Sequence, residues 1–295
     1  MNKLRPELET KPGSLIYTDL DGTLLDQETY SSVEAGPALR EVLNRKIPVI
    51  ISSSKTRAEI TAIQEELDLL AHPFVVENGG AVYIPVTDHS VCLPGAARRG
   101  RFEVLEFGAP YDHLSKMLDK LSAELEIPLR GFHHMDDEQI ARECSLSLEA
   151  ARRAKQREYD EPFILGSIQP GDEARLRECV GQLGLRLVHG GRFFHLLGEH
   201  DKGDAIELLT RAYRRKYGSI RSYGIGNSEN DLAMLQAADV GIIVQKPDGT
   251  YDKVLTESLP GALRAQGVGP KGWSAAVRKI LALEKPAPQR KFRLE

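Results

Sequence analysis

Apolar positions follow two periods along the chain, and stretches of the two kinds alternate. A short apolar strand, Leu15 to Thr18, stops at Asp19. From Val33 to Arg45 the apolar residues Leu39, Val42 and Leu43 fall on one helical face. The run IPVIIS, Ile47 to Ser52, shows no alternation, which predicts a strand buried on both faces. Thr56 opens the next helix, because Thr56 and Glu59 have the T-x-x-E spacing of a capping box. PFVVEN, Pro73 to Asn78, predicts a further strand, and Gly79-Gly80 turns the chain into AVYI. This strand–helix rhythm predicts an α/β fold, a parallel sheet with helices on both faces.

The rhythm changes after Ile84. Helices are expected over Tyr111 to Leu125, Ser147 to Arg157 and Asp172 to Leu183. Strands are expected over Phe163 to Ile168, Leu185 to His189 and Phe193 to Leu197. From Asp201 the first rhythm returns, with a helix from Lys202 to Tyr217 and a strand from Ser222 to Ile225. A helix from Glu229 to Ala237, a strand from Val240 to Val244 and a helix from Gly272 to Leu283 follow, and the polar tail KPAPQRKFRLE is expected to fray. The expected organisation is a discontinuous core of residues 1–85 and 199–295, interrupted by an inserted α/β domain of residues 86–198.

Composition narrows the classes of function. The 295 residues are 41% hydrophobic and 28% charged, enough apolar content for a packed core. Lys and Arg total 39 against 43 Asp and Glu, a net charge of -4 that does not support a nucleic-acid binder. Cys92, Cys144 and Cys179 are too few and too far apart for a disulfide framework or a zinc knuckle. The N-terminal stretch lacks an apolar signal segment, and no apolar run reaches the ~18 residues of a membrane span. The expected setting is cytoplasmic, with no membrane partner, as a monomer or small homo-oligomer.

Four short motifs carry chemistry. Asp19-Leu20-Asp21-Gly22-Thr23 directly follows an apolar strand. Two carboxylates at i and i+2 on a tight turn converge on one point and repel unless a proton or cation intervenes. A hard divalent ion such as Mg2+, which also binds phosphate, resolves that repulsion. A plain Asp-Gly turn is the alternative. A calcium loop is excluded, since its frame would put Tyr17 at the first ligand position and a strand before it. Ser52-Ser53-Ser54-Lys55-Thr56 ends the second apolar strand at a helix start, where hydroxyls and N–H groups make an anion site; a capped serine-rich loop reads the same way. Lys202, at a helix N-terminus, is unfavourable for the helix dipole and so suggests pairing with a carboxylate or phosphate. Gly226-Asn227-Ser228-Glu229-Asn230-Asp231 follows another strand, with Asp231 either a capping residue or a metal ligand. In a parallel sheet all four motifs fall on one carboxyl edge.

Asp19, Asp21, Ser53, Lys202 and the loop from Gly226 to Asp231 resemble, in order, the four motifs of the haloacid dehalogenase (HAD) superfamily of phosphohydrolases. The insertion after the second motif resembles its subgroup with a large α/β cap (C2B type). SSKTRAE (Ser53 to Glu59), ENGGAVYIP (Glu77 to Pro85), AKQREYDEPF (Ala154 to Phe163) and GGRFFHLLGEHDKGDA (Gly190 to Ala205) are similar to the mannosyl-3-phosphoglycerate phosphatase family. The resemblance implies a Rossmann-like core and a Mg2+-dependent phosphomonoesterase acting through an aspartyl-phosphate. It implies Asp19 as nucleophile, Asp21 as acid and base, Ser53 on the phosphoryl oxygens and Lys202 as charge neutraliser. Mg2+ would be held by the Asp19 side chain, the Asp21 backbone carbonyl, Asn227 and Asp231. The family usually has Asp where this chain has Asn227; an amide brings no charge, so weaker metal affinity is expected. The same departure keeps open a non-catalytic phospho-ligand sensor. Substrate contacts are expected from Ser54, Arg57, Asn78, Gly79, Arg157, Glu158, Glu161 and Arg192, with His195 either facing the site or solvated. Arginines suit the carboxylate of a phosphoglycerate, and carboxylates suit sugar hydroxyls; a surface salt-bridge cluster is the alternative for Arg157, Glu158 and Glu161. The implied partner is a glycosyl-phosphoglycerate or another sugar phosphate, with mannosyl-3-phosphoglycerate favoured.

Overall fold

The computed structural model describes residues 12–167, 169–190 and 192–284. In chain order the first half of the core contains β1 (Ser14–Thr18), α1 (Gly36–Asn44), β2 (Val49–Ser52), α2 (Arg57–Glu66), β3 (Phe74–Val76) and β4 (Ala81–Pro85). A hairpin follows, β5 (Ala97–Arg99) and β6 (Phe102–Glu106). The next block holds α3 (Tyr111–Leu125), β7 (Leu129–Gly131), α4 (Asp137–Cys144), α5 (Leu148–Ala154), β8 (Asp160–Leu165), α6 (Asp172–Gln182), β9 (Arg186–Gly190) and β10 (Phe193–Leu197). The chain then returns through α7 (Lys202–Tyr217), β11 (Arg221–Gly226), α8 (Leu232–Ala237), β12 (Val240–Gln245), α9 (Lys253–Ser258), β13 (Leu263–Val268) and α10 (Gly269–Leu283).

Two sheets result. The larger has nine strands in the order β13-β12-β11-β1-β2-β3-β4-β6-β5. Its strands from β13 to β3 run parallel, while β4, β6 and β5 pair antiparallel. From β1 the chain winds outward through β2 and β3, and from β11 it winds the opposite way through β12 and β13. The β1/β11 pair is therefore the topological switch point, where loops at the carboxyl ends of adjacent strands diverge and leave a crevice. The first and fourth sequence motifs leave from these two strands.

Alternation along the buried strands divides the core into two layers. Ile16, Ile51, Phe74 and Val76 pack with Trp273, Val277 and Ile280 on one face. Leu15, Tyr17, Ile50 and Val75 pack with Ile206, Leu209 and Met234 on the other. The smaller sheet, β7-β8-β10-β9, is antiparallel. One of its faces, with Phe163 and Leu196, packs on Leu114, Leu118 and Leu121 of α3 and Leu176 and Val180 of α6.

Several expectations shift. Residues 97–106, expected within the insertion, extend the large sheet, because β6 pairs with β4 from Ala81↔Glu106 to Pro85↔Phe102. The strand expected from Phe163 begins at Asp160 instead, and its expected end, Ile168, lies outside the described residues. The helix expected to reach Arg157 stops at Ala154, as the chain straightens into β8. The segment Glu229 to Ala237 divides into a 3-10 turn over Glu229–Asp231 and the short α8. The terminal helix starts earlier, at Gly269, with Pro270 in its first turn. The expected frayed tail lies outside the described residues.

One side chain ties the core layer to the loop after β1. Trp273 is fully buried, and its Nε1–H donates to Thr18 Oγ1 at 3.0 Å. The Thr18 hydroxyl donates in turn to the Asp19 carbonyl at 2.7 Å. Trp273→Ala is expected to cost about 3–5 kcal/mol. Trp273→Phe should cost distinctly less, since it keeps most of the packing and loses one hydrogen bond. Urea unfolding followed by far-ultraviolet circular dichroism checks both.

Candidate active site at the sheet switch point

The backbone shapes the first loop. Asp19 N–H still donates to the β11 carbonyl of Ile225 at 3.0 Å, so this carboxylate leaves at the last paired position of the strand. Gly22 has φ +72°, and a Cβ there would lie 2.3 Å from Asn227 Nδ2. Only glycine allows the β1 and β11 loops to approach this closely.

Lys202 is fully enclosed beneath these loops. Its Nζ donates to Asp19 Oδ1 at 2.8 Å and to Asp231 Oδ1 at 2.7 Å. Asp231 Oδ2 accepts from the N–H groups of Asn227 and Ser228 at 2.9 and 3.2 Å. One cation thus faces two carboxylates, all three side chains buried. Burial, followed by the charge of Asp231, pushes the Asp19 carboxyl up to about 7 against the pull of Lys202. Burial works against the Lys202 ammonium, yet the two carboxylates hold its proton above the ordinary lysine range.

Asp21 has a different partner. Its Oδ2 lies 2.9 Å from Lys55 Nζ, which also sits 3.6 Å from Glu59 Oε1 and over the Tyr30 ring at 5.0 Å. Glu59 is fixed by the capping box with Thr56, as expected from the sequence. Asp21 Oδ1 and Asn227 Oδ1 are buried without a hydrogen-bond partner among the described residues. Two orphaned oxygens beside the Asp19 carboxylate are a donor set that suits a hard divalent cation.

A cavity of about 750 Å³ opens between the two sheets. Asp19, Asp21, Ser54, Lys55 and Asn227 line its core side, and Arg157, Arg192 and His195 line the opposite wall. The Arg157 guanidinium is buried, donates to the Ser54 carbonyl at 2.7 Å and lies over the Phe132 ring at 5.4 Å. Arg192 is more exposed, and is paired with Glu143 at 3.2 Å.

The other expected residues lie around this cavity rather than on its surface. Ser53 is buried, its Oγ accepting from Lys55 N–H at 3.3 Å. Asp231 stands behind Lys202, with both oxygens occupied. Asn78 is buried, with its Nδ2 donating to Asp160 Oδ2 at 3.0 Å and its Oδ1 accepting from Asn230 at 3.1 Å. Gly79 has φ +103°, and a Cβ there would collide with the Asp201 carbonyl at 2.0 Å, so glycine lets the chain pass the start of α7. Arg57 and Glu158 pair with each other at 3.3 Å, off the cavity wall. Glu161 faces the helices, where its N–H-accepting carboxylate meets His133. Strand alternation explains this: Asp160 and Pro162 face the core, and Glu161 faces away.

The sequence pattern gave no notice of Lys55 or Asp160 as site residues, although both are polar residues at strand or loop positions beside quoted motifs. On the far surface Asp119 Oδ1 gathers His133 Nε2 at 3.0 Å and His134 Nε2 at 2.9 Å. His134 Nδ1 accepts from Gly131 N–H, so its Nε2 carries the proton and donates to Asp119, a hydrogen bond that leaves neither nitrogen of this ring a lone pair for a metal.

The solved structure of a haloacid dehalogenase-like hydrolase from B. subtilis superposes with a TM-score of 0.64 at 19% identity, covering 91% of this chain and 99% of that one. The fold and the carboxylate–lysine site define a haloacid dehalogenase-like hydrolase, and the model of that family matches residues 16–91. A Methanococcoides burtonii protein named glucosyl-3-phosphoglycerate/mannosyl-3-phosphoglycerate phosphatase is 39% identical over 269 residues, 90% of this chain and 97% of its own. A Persephonella marina protein of the same name is 35% identical over the same shares. The chain belongs to this family of mannosyl-3-phosphoglycerate phosphatases, and is a phosphoric monoester hydrolase.

The buried cluster predicts a pH signature in metal-free protein. Asp19 has its folded value raised, so its contribution to stability is full below about pH 4, the unfolded carboxyl value. That contribution is lost as pH rises through about 7. The unfolding midpoint of wild type relative to Asp19→Asn should therefore fall between those limits and stay level above them. Thermal unfolding of both proteins in chelator across pH 4.5–8.5 reads this difference, and a pH-independent difference contradicts the assignment.

Proposed function

We propose that the chain is a Mg2+-dependent phosphatase that hydrolyses mannosyl-3-phosphoglycerate, or its glucosyl counterpart, to the glycosylglycerate and phosphate. The observation that carries the reading is the Asp19–Lys202–Asp231 cluster at the switch point, with two orphaned oxygens beside it. The names of the Methanococcoides burtonii and Persephonella marina relatives support the substrate.

In this reading the Asp19 carboxylate attacks phosphorus, forming an aspartyl-phosphate as the bond to the glycerate oxygen breaks. Asp21 gives a proton to that leaving oxygen, then takes one from the water that attacks the aspartyl-phosphate. Phosphate departs and Asp19 is restored. Lys202 holds the nucleophile in place and offsets charge on the phosphoryl group. The turn of Ser53 and Ser54 meets the phosphoryl oxygens. The Asp19 side chain, the Asp21 main-chain carbonyl and Asn227 would hold Mg2+, which supplies charge stabilisation to the phosphoryl oxygens and leaves the Asp21 side chain for proton transfer. Asp231 would act on that site through Lys202 and the Asn227 loop.

Residues 107–198 would form a cap that closes over the cavity and excludes water. Arg157 and Arg192 would receive the glycerate carboxylate from this side. The free state of Cys92, Cys144 and Cys179 suits a reducing cytoplasm. Among the described residues no helix is long and apolar enough to cross a membrane.

Phosphate release is the test, measured on mannosyl- and glucosyl-3-phosphoglycerate and a panel of sugar phosphates across a Mg2+ titration. Selective, Mg2+-dependent release from the glycosyl-phosphoglycerates is expected, and Asp19→Asn should lose at least about 1000-fold in kcat. Asn227→Asp should lower the half-saturating Mg2+ concentration roughly tenfold. Release from other sugar phosphates alone would keep the chemistry and discard the substrate. Phosphate-ester binding without turnover at any Mg2+ level would favour the sensor that Asn227 motivates.

A further inference from the structure

One histidine on the cavity wall, with a buried carboxylate behind it, has no part in the phosphoryl chemistry. His195 and Asp160 lie on adjacent antiparallel strands, β10 and β8, on the sheet face that looks toward the core. His195 Nδ1 lies 2.8 Å from Asp160 Oδ2 and 3.0 Å from Oδ1. Asp160 is fully buried and also accepts from Asn78 Nδ2 at 3.0 Å, with Arg157 Nη1 at 3.7 Å. This carboxylate is held from three directions and cannot turn away from the ring.

The other ring nitrogen is free. His195 Nε2 has no hydrogen-bond partner among the described residues, and His195 lines the cavity. It sits beside Gly190, where a Cβ would begin 3.3 Å from Nε2 and 3.5 Å from the Asn230 side chain. Gly190 therefore keeps open the space between the cap histidine and the fourth core loop. Asp160 accepts from Nδ1–H, so Nε2 is the ring nitrogen turned into that space, where the neutral tautomer presents a lone pair. The permanent cations of the wall, Arg157 and Arg192, are suited to anions; a lone pair is suited to a hydroxyl.

We propose that His195 is a specificity-determining residue, whose Nε2 accepts a hydrogen bond from a hydroxyl of the glycosyl part of the substrate, with Asp160 as its positioning residue. The inference rests on the phosphatase reading and adds to it the group that distinguishes a glycosylated ester from a bare one. A site built to pair with a hydroxyl rejects an analogue that lacks it, because the site group is then left buried and unpaired.

The test compares kcat/KM for mannosyl-3-phosphoglycerate with that for 3-phosphoglycerate, in wild type, His195→Ala, His195→Gln and Asp160→Asn. The wild-type ratio should fall about 10–100-fold in His195→Ala, the loss of one buried hydrogen bond. His195→Gln, which restores an acceptor, should recover part of it. Asp160→Asn keeps the ring but frees its tautomer and should lower the ratio as well, which covers the case of a poorly folded alanine variant. An unchanged ratio, or an equal loss on both esters, would mean a structural role and overturns the proposal. Wild-type protein that hydrolyses neither ester overturns the phosphatase reading itself, and this inference with it.

Discussion

Lys202 is the only cation in contact with both Asp19 and Asp231 among the described residues, and all three side chains are out of solvent. An isolated buried carboxylate is costly, and two within reach of each other are more so. The cluster persists because each charge has a fixed partner and because Asp231 is further satisfied by two backbone N–H groups of its own loop. That requirement fixes the relative positions of three separate elements: the end of β1, the first turn of α7 and the loop after β11. The switch-point topology brings these elements together, and the ion cluster sets their register. A carboxylate assembled this way is held rigidly before any ligand arrives.

The same logic joins the two sheets. Glu77 reaches from the core to accept from the N–H groups of Glu158 and Tyr159, at 2.8–3.1 Å. Burial pushes its carboxyl up to about 8, against the pull of Arg157. Asn78, the next residue, bonds Asp160, and Arg157 bonds the Ser54 carbonyl. Arg186 of β9 pairs with Asp201 at the start of α7, 2.7 Å away. Every one of these contacts is polar and directional, in contrast to the apolar layers inside each sheet. Few apolar side chains would have to separate for the wall carrying Arg157 and His195 to move relative to Asp19, which suits a closing cap.

How much of this was legible depended on whether position in sequence fixed position in space. Asp19, Asp21 and Lys202 each sit at the junction of an apolar strand or a helix start, so their strand edge and direction followed from pattern alone. The serine loop was legible as a loop, but the pairing of Lys55 with Asp21 joins residues from two different loops, and no local pattern encodes it. In the β5–β6 hairpin, β5 escaped because all three of its residues are exposed and two are arginines, which left the alternating β6 without a visible partner strand. In REYDEPF the failure was one of phase. Reading Arg157, Glu158 and Glu161 as charges at a helix end leaves their facing undetermined, whereas a strand beginning at Asp160 sends alternate residues to opposite sides. A shift of three residues in one strand boundary thus turned Asp160, rather than Glu161, to the side of the sheet that carries His195.

Asn227 can be weighed by the charges around it. Asp19, Asp21, Glu59 and Asp231 are set against Lys202 and Lys55, so carboxylates already outnumber the lysines of the site. Aspartate at 227 would add a further carboxylate next to Asp19 and Asp21, raising attraction for a divalent cation and repulsion of an incoming phosphate dianion together. The amide keeps an oxygen in place: Oδ1 is buried without a partner, and Nδ2 is pressed toward the Gly22 turn. Its orientation is therefore set by packing rather than by charge. On this view asparagine exchanges affinity for the cation against a smaller electrostatic penalty for the anion. In the proposed reading a bound cation would then depend more heavily on the charge of Asp19, and on Lys202 to keep that carboxylate in place.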